Sequence, residues 1–437
     1  MKLKVKFLKW SAGVPVAMLN IDTAEAMGIH LMDRISIRTP SKETTTIIDT
    51  IGKLVTKKEI AVSSEIKEKL ALKSGQIVDI NLISTPESLK FIKKKVDNQK
   101  LSKIELKKII EDVVENNLSE PEIALFISGM YKSGMSRRET IFLIEAILET
   151  GSCLNLWTKE ISDKHSIGGI AGNRTTPLVV SICASAGLII PKTSSRAITS
   201  AAGTADVIEM IARIDFSAEE LKRIVKKTNA CMIWGGGLGM VTADSKIIQI
   251  EKQLKIDPPS QLLASIMAKK LAVGSKYIVI DIPYGKSAKV SKKKALELKK
   301  EFEFLGKHFG RKMKVLLTDG SQPIGNGIGP ALELIDIIKI LDPSQQGPKD
   351  LEKKSIFLSA QLLELAGKCK HGGGEQLARE ILSSGKAFEK FKQIIKAQEG
   401  SLRRIKLAKF KKKIFSKFFA AFRRSCISFS NYRYCIV

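Results

Sequence analysis

Between Asp163 and Asp206 two loops rich in glycine, serine and threonine follow one another, separated by a single apolar, helix-like run. The first reads Asp163-Lys164-His165-Ser166-Ile167-Gly168-Gly169-Ile170-Ala171-Gly172-Asn173-Arg174-Thr175-Thr176. The second reads Pro191-Lys192-Thr193-Ser194-Ser195-Arg196-Ala197-Ile198-Thr199-Ser200-Ala201-Ala202-Gly203-Thr204-Ala205-Asp206. Each stands between an apolar segment and a helical pattern. Such loops let backbone N–H groups approach an anion closely, with the positive end of the following helix behind them. Turns use the same residues for backbone reasons, so the glycines alone decide little. Lys164, His165, Arg174 and Arg196 in the same loops favour a site for two phosphate groups, or for one phosphate and a phosphorylated substrate.

The rest of the chain supplies a frame for such loops. Beyond Gly151 apolar runs at 188–190, 231–234, 277–282 and 313–318 predict buried strands, with helical stretches such as 218–228 and 287–305 between them. That alternation predicts an α/β domain over 153–239 and 273–400 with a mixed central sheet and ligand loops at strand ends. Gly235-Gly236-Gly237 and the run from Gly320 to Gly329 are further loops, open between tight turn and ligand contact. From 86 to 152 the spacing of Leu101, Ile104, Ile109, Val113, Ile123, Phe126, Ile127 and Met130 predicts a helical domain, with Ser119-Glu120-Pro121-Glu122 as a helix start. Residues 1–85 contain two echoing halves, Asp22 to Ile37 and Ser63 to Ile80. Each reads as a capped short helix, a turn and an alternating strand. A small, duplicated β-barrel-like domain with an assembly role fits them.

At 437 residues the chain has room for two or three domains, and its 44% apolar and 27% charged residues are ordinary for a globular protein. No apolar run reaches the ~18 residues of a membrane span. The start, Met1 to Lys9, alternates lysine with apolar residues as a half-buried strand does, which sets it apart from a signal peptide. Six scattered cysteines without a C-x-x-C pair favour reduced thiols in a cytoplasm over a disulfide framework or a structural metal. The net charge of +28 raises nucleic acid as a partner, yet aromatics amount to 6% and are sparse around the loops, where stacking would need them. A lysine-rich solvated surface explains the charge of the main chain, and the stretch after Gly400, which has no Asp or Glu, concentrates the remainder.

The motif Lys164-His165-Ser166-x-Gly168-Gly169, with Ser195-Arg196 and Gly203-Thr204-x-Asp206, resembles the signature of the thymidine phosphorylase family of nucleoside phosphorylases. The wording from Thr193 to Thr204 is closest to the archaeal branch of that family, the AMP phosphorylases. Ile256 to Ser265, Lys269-Lys270-Leu271-Ala272 and Asp281 to Lys286 agree with it, so the resemblance runs to roughly Gly400. It implies a helical domain completed by about 240–272, through a helix near Ser260 to Leu271. It also implies a homo-oligomer and phosphorolysis without metal or redox cofactor: AMP plus phosphate gives adenine plus ribose 1,5-bisphosphate. CMP and UMP are further substrates in this reading.

Phosphorolysis needs donors and cations that hold phosphate at the anomeric carbon, and an acid for the departing base. Lys164, Ser166 and Thr175 are candidates for the phosphate. Gly169, Ser195, Arg196, Ala197, Ile198, Thr199, Ser200 and Thr204 are candidates for the wider substrate site. A helix-capping run explains Ser195, Thr199 and Ser200 equally well, but such a run has no use for Arg196. His165 stands between general acid and orienting group. On sequence alone Asp257 is a helix start before Pro258-Pro259; the resemblance makes it the proton donor to the base, and implies that Ser265 and Lys289 contact the nucleotide. Lys269 matches a base-contacting lysine of the thymidine enzymes.

Two departures qualify the match. The pyrimidine-contacting arginine of the thymidine enzymes has no counterpart in Ile250 to Lys255, which turns the reading from pyrimidine nucleosides to nucleoside 5′-monophosphates. After Gly400 the α+β region of the family gives way to a basic stretch (401–437), read as a truncated or frame-shifted end, or as a basic amphipathic helix. The rival readings are a pyrimidine nucleoside phosphorylase, a basic nucleic-acid-binding protein, and an enzyme inactivated by its altered end.

Overall fold

The computed structural model describes residues 1–8, 15–31, 33–83, 85–197, 201–402 and 435–436. The expectation for the basic stretch therefore falls, from residue 403 to 434, outside the described residues. The chain divides into two compact units: Met1–Thr150 with Thr242–Ser260, and Gly151–Val241 with Gln261–Val437.

Alternation builds the first part of unit one. β1 (Lys2–Phe7) buries Leu3 and Val5 and turns Lys2 and Lys4 outward. It is followed by β2 (Val16–Asn20), α1 (Ile21–Ala26), β3 (Arg34–Arg38), β4 (Glu43–Ile51), β5 (Glu59–Val62), α2 (Ser64–Leu70) and β6 (Ile77–Leu82). The strands close a barrel in the order β1-β5-β2-β4-β3-β6, with parallel and antiparallel pairs. Each echoing half of the sequence becomes a short helix leading to a strand, and Ile35, Ile37, Ile60 and Ile80 fill the interior without exposure.

The helical part holds α3 (Ser88–Val96), α4 (Lys103–Glu115), α5 (Glu120–Ser133) and α6 (Arg137–Glu149). Ser102 with Glu105, and Ser136 with Glu139, form capping boxes, and Pro121 sits in the first turn of α5. The anticipated apolar stripe is buried except at Ile104, which is 79% exposed. The inward row of α4 is Leu106, Ile109, Ile110 and Val113, a three- and four-residue spacing that Ile104 does not share.

Unit two alternates strands and helices: β7 (Ser162–Ser166), α7 (Thr175–Ser185), β8 (Ile190–Ser194), α8 (Thr204–Glu209), α9 (Ala218–Thr228) and β9 (Ala230–Trp234). The chain then returns to unit one as α10 (Thr242–Leu254), which packs against α4, α5 and α6. The Lys246 Nζ donates to the carbonyls of Val113 and Val114, at 2.9 and 2.8 Å, where α4 ends. This helix joins the bundle; α11 (Pro259–Val273), expected in that place, belongs from Gln261 onward to unit two. There follow β10 (Tyr277–Tyr284), α12 (Lys292–His308), β11 (Lys312–Asp319), β12 (Gly327–Ile328), α13 (Pro330–Leu341), α14 (Lys349–Leu365), α15 (Gly374–Ser383) and α16 (Lys386–Ala397).

β11, β10 and β7 pair in parallel, as do β8 and β9, and a parallel bridge from Ile161 to Ile189 links the two sets. α7 packs on α14 and α16 over a core that includes Leu178, Ile182, Met232, Ile337 and Phe391. Two expectations shift. The strand placed at 188–190 runs instead over Ile190–Ser194, because Lys192 and Thr193 are buried polar residues that an apolar run does not include. The helix expected from 287 starts at Lys292, where the Ser291 hydroxyl accepts the Lys294 N–H. Among the described residues no helix is long and apolar enough to cross a membrane.

Candidate active site

In a parallel sheet every strand ends on the same side, and the crevice outside those carboxyl ends is where α/β proteins place ligands. Here the five strands end in Ser166, Ser194, Trp234, Tyr284 and Asp319. Gly168, Gly235, Gly285 and Gly320 follow within two residues. Gly168 and Gly169 adopt φ of +83° and +88°. A side chain on Gly169 would also come within 2.7 Å of the Lys289 Cβ, so this turn admits only glycine and sets two predicted site residues against each other.

Asp163 to Ser166, read above as loop, is the strand β7, and it is built from charge. Strand alternation sends Lys164 and Ser166 to one face and Asp163 and His165 to the other. Lys164 is 2% exposed, and its Nζ donates to the Thr175 Oγ1 at 2.6 Å. Thr175 opens α7, so this ammonium is buried at the positive end of a helix. Burial pushes its pKa down to about 7; Asp281 opposes the shift, and Lys354, Lys192 and Arg174 add to it. Asp281 itself is taken up by Lys354 at 3.2 Å and by the Thr318 hydroxyl at 2.6 Å.

On the opposite face, Asp163 binds Lys192 at 3.1 Å and Lys270 at 2.6 Å, all three being buried. Burial would raise the Asp163 pKa, but the two ammonium groups outweigh it and hold the carboxyl below its usual range. His165 stands beside this cluster, with a buried Nδ1 that has no hydrogen-bond partner among the described residues. Burial first, then the positive charges of Lys270, Lys192, Lys269 and Lys164, press its pKa well below that of a free imidazole. That shift works against a protonated His165 near neutral pH.

The second loop leaves β8 at Ser195, which is exposed, and returns at Gly203. Arg196 does not stand free as a clamp. Its Nη1 bonds Asp206 at 3.3 Å, its Nη2 bonds Glu209 at 2.9 Å, and the guanidinium lies 5.3 Å from the centre of the Trp234 ring. The Asp206 Oδ2 accepts from both Ala197 N and Gly203 N at 2.8 Å, tying the two ends of the loop to α8. Ile198, Thr199 and Ser200 lie outside the described residues. An Arg196→Ala variant should therefore raise the KM for a phosphorylated substrate several-fold through a slackened loop. Its melting temperature should stay within a degree or two, because exposed pairs contribute about 0–1 kcal/mol. An unchanged KM in steady-state kinetics would place Arg196 outside substrate binding.

The residues assigned to the base side belong to the chain around α11. Ser265 is 7% exposed and its Oγ accepts from the Lys269 Nζ at 2.8 Å, a turn apart on that helix. Asp257 is half-buried in the link between α10 and α11, two residues before Pro259.

The Gly320–Gly329 loop proves to be filled by the protein itself. Asp336 accepts from Asn326 N and Gly327 N at 2.7 and 2.8 Å, Asp350 from Gly325 N at 3.1 Å, and Glu333 from Gly329 N at 3.1 Å. Carboxylates of the chain take up the N–H groups of Gly325, Asn326, Gly327 and Gly329, so this half of the loop is a brace. The buried ions Asp163, Lys192, Lys270, Asp281, Lys354 and the pair Arg174–Glu333 were not anticipated as a network. One signal was available for Lys270, which falls within the apolar pattern of α11 beside Met267, Ala268 and Ala272.

Comparison with known proteins places this geometry. Residues 158–388 match the glycosyl transferase family, a/b domain, and residues 89–151 match the glycosyl transferase family, helical bundle domain. The AMP phosphorylase of Pyrococcus furiosus is 44% identical over 401 residues, covering 92% of this chain and 79% of that protein. The AMP phosphorylase of Methanocaldococcus jannaschii is 42% identical over 405 residues, 92% of this chain and 80% of its own. An anthranilate phosphoribosyltransferase (TrpD) from Thermus thermophilus shares the fold, with a TM-score of 0.59 at 17% identity over 71% of this chain and 99% of that one. With helical bundle, α/β sheet and the two glycine- and serine-rich loops in one order, the chain belongs to the AMP phosphorylase family of glycosyl transferases.

Proposed function

We propose that the protein is a pentosyltransferase that phosphorolyses AMP to adenine and ribose 1,5-bisphosphate. The observation that carries the reading, in a chain of this family, is Lys164: a buried ammonium at the N-terminus of α7, held by a hydroxyl. A phosphate dianion there would meet the ammonium, the helix end and the Thr175 hydroxyl, and would relieve the cost of burying the charge. A phosphate oxygen attacks C1′ of the ribose as the N-glycosidic bond breaks. The bonding electrons leave with adenine, and Asp257 supplies the proton to the base. Ser166, Gly169 and the 195–204 loop hold the two phosphates, Ser265 and Lys289 the nucleoside, and neutral His165 orients them. The barrel of residues 1–85 is the assembly surface of a homo-oligomer that works in the cytoplasm.

The reaction predicts strict dependence on inorganic phosphate and a sugar product carrying two phosphates. Adenine release from AMP is followed with and without phosphate, beside CMP, UMP and thymidine as alternative substrates. Release that proceeds equally fast without phosphate means hydrolysis and removes the assignment.

A further inference from the structure

We infer that Arg174 is a positioning residue that fixes the distance between the two anion loops, an inference that rests on the function just proposed. Arg174 closes the first loop, immediately before α7, and is 7% exposed. Its Nε donates to the Glu333 Oε2 at 2.5 Å, its Nη2 to the Ala202 carbonyl at 2.6 Å and its Nη1 to the Thr204 hydroxyl at 3.3 Å. One planar group thus binds the far end of the second loop and the first residue of α8 while anchored on α13. The anchor is firm: Glu333 is 1% exposed, and its other oxygen accepts the Gly329 N–H at 3.1 Å. The same brace holds the first loop directly, since Ile324 N donates to the Ala171 carbonyl at 3.1 Å.

The geometry explains why a guanidinium is used. Three acceptors in three directions match its rigid fork, whereas an ammonium on a flexible stem would satisfy fewer of them at once. With Glu333 balancing its charge, Arg174 aims the Thr204 hydroxyl rather than supplying net charge to a phosphate. Losing that aim should weaken ligands that engage both loops more than it slows the bond-breaking step.

The test is Arg174→Lys, which keeps the buried charge and so spares Glu333. The expected result is a rise of about tenfold in the KM for AMP and for phosphate, with kcat changed less than about threefold. Thr204→Val should give a similar rise, and the double variant no more than the larger single effect, because both remove one interaction. Should Arg174→Lys fail to fold, the paired Arg174→Gln, Glu333→Gln variant keeps the site neutral and hydrogen-bonded, and the same rise is expected. Calorimetric binding of inorganic phosphate is measured alongside. A wild-type protein that binds phosphate but releases no adenine would overturn the reaction, and the Arg174 comparison would then be made on the Kd. Unchanged KM and Kd in folded variants, or effects of Arg174→Lys and Thr204→Val that multiply, would overturn the positioning role.

Discussion

Replacing Lys164 by methionine should lower kcat/KM for phosphate by about 10–100-fold while raising the melting temperature of the ligand-free protein. The two effects have one origin. Below pH ~10.4 an unfolded lysine carries a proton, whereas burial keeps the folded amine from taking one until about pH 7. Between those values the unfolded state binds more protons, so the stability contributed at this position falls as pH drops through the window and levels off below pH 7. Methionine fills similar space without a charge and removes the penalty. A gain of about 1 kcal/mol raises the midpoint by roughly 1 °C in a chain this long. Bound phosphate stabilises the ammonium form, so the wild-type protein should take up protons on binding phosphate near pH 8.5, and the methionine variant should take up fewer. Calorimetry in buffers of differing ionisation enthalpy measures the uptake. A variant that melts earlier and still turns over at the wild-type rate would make Lys164 a structural cation.

Asp257→Asn should cost roughly 10²–10⁴-fold in turnover and leave AMP binding nearly intact. An adenine anion is a poor leaving group, and asparagine keeps the shape of the carboxyl but cannot hand over its proton. The position suits the substitution, since Asp257 lies half-buried in a link between helices, outside the core of either. An analogue with a base that leaves readily without protonation should recover most of the lost rate, which loss of folding would not allow. Full turnover of AMP in the variant would return Asp257 to starting a helix.

How much of this was legible depended on where each residue finds its partner. Ser119 with Glu122, and Ser217 with Glu220, meet within four residues, and the helices they start lie where expected. Gly168 and Gly169 announce a tight turn by composition, and their φ values show the turn. β7 was invisible because a strand of Ser-Asp-Lys-His-Ser has no apolar pattern, and the groups that neutralise Asp163 lie 29 and 107 residues away in the chain. Arg196 could be read as an unclaimed cation because its carboxylates, Asp206 and Glu209, come 10 and 13 residues later. Asp257 had no local mark at all; only the resemblance distinguished it from any acidic residue before a pair of prolines.

The Asp163–Lys192–Lys270 cluster has a consequence for how such a protein can change over generations. Losing the aspartate alone would leave two buried ammonium groups without a counter-charge, and losing either lysine would unbalance the rest, at about 3–5 kcal/mol a step. Replacing all three by apolar residues of similar volume carries no such cost. Single steps are therefore closed while the joint step is open. Positions 163, 192 and 270, drawn from two strands and a helix, should change together or not at all.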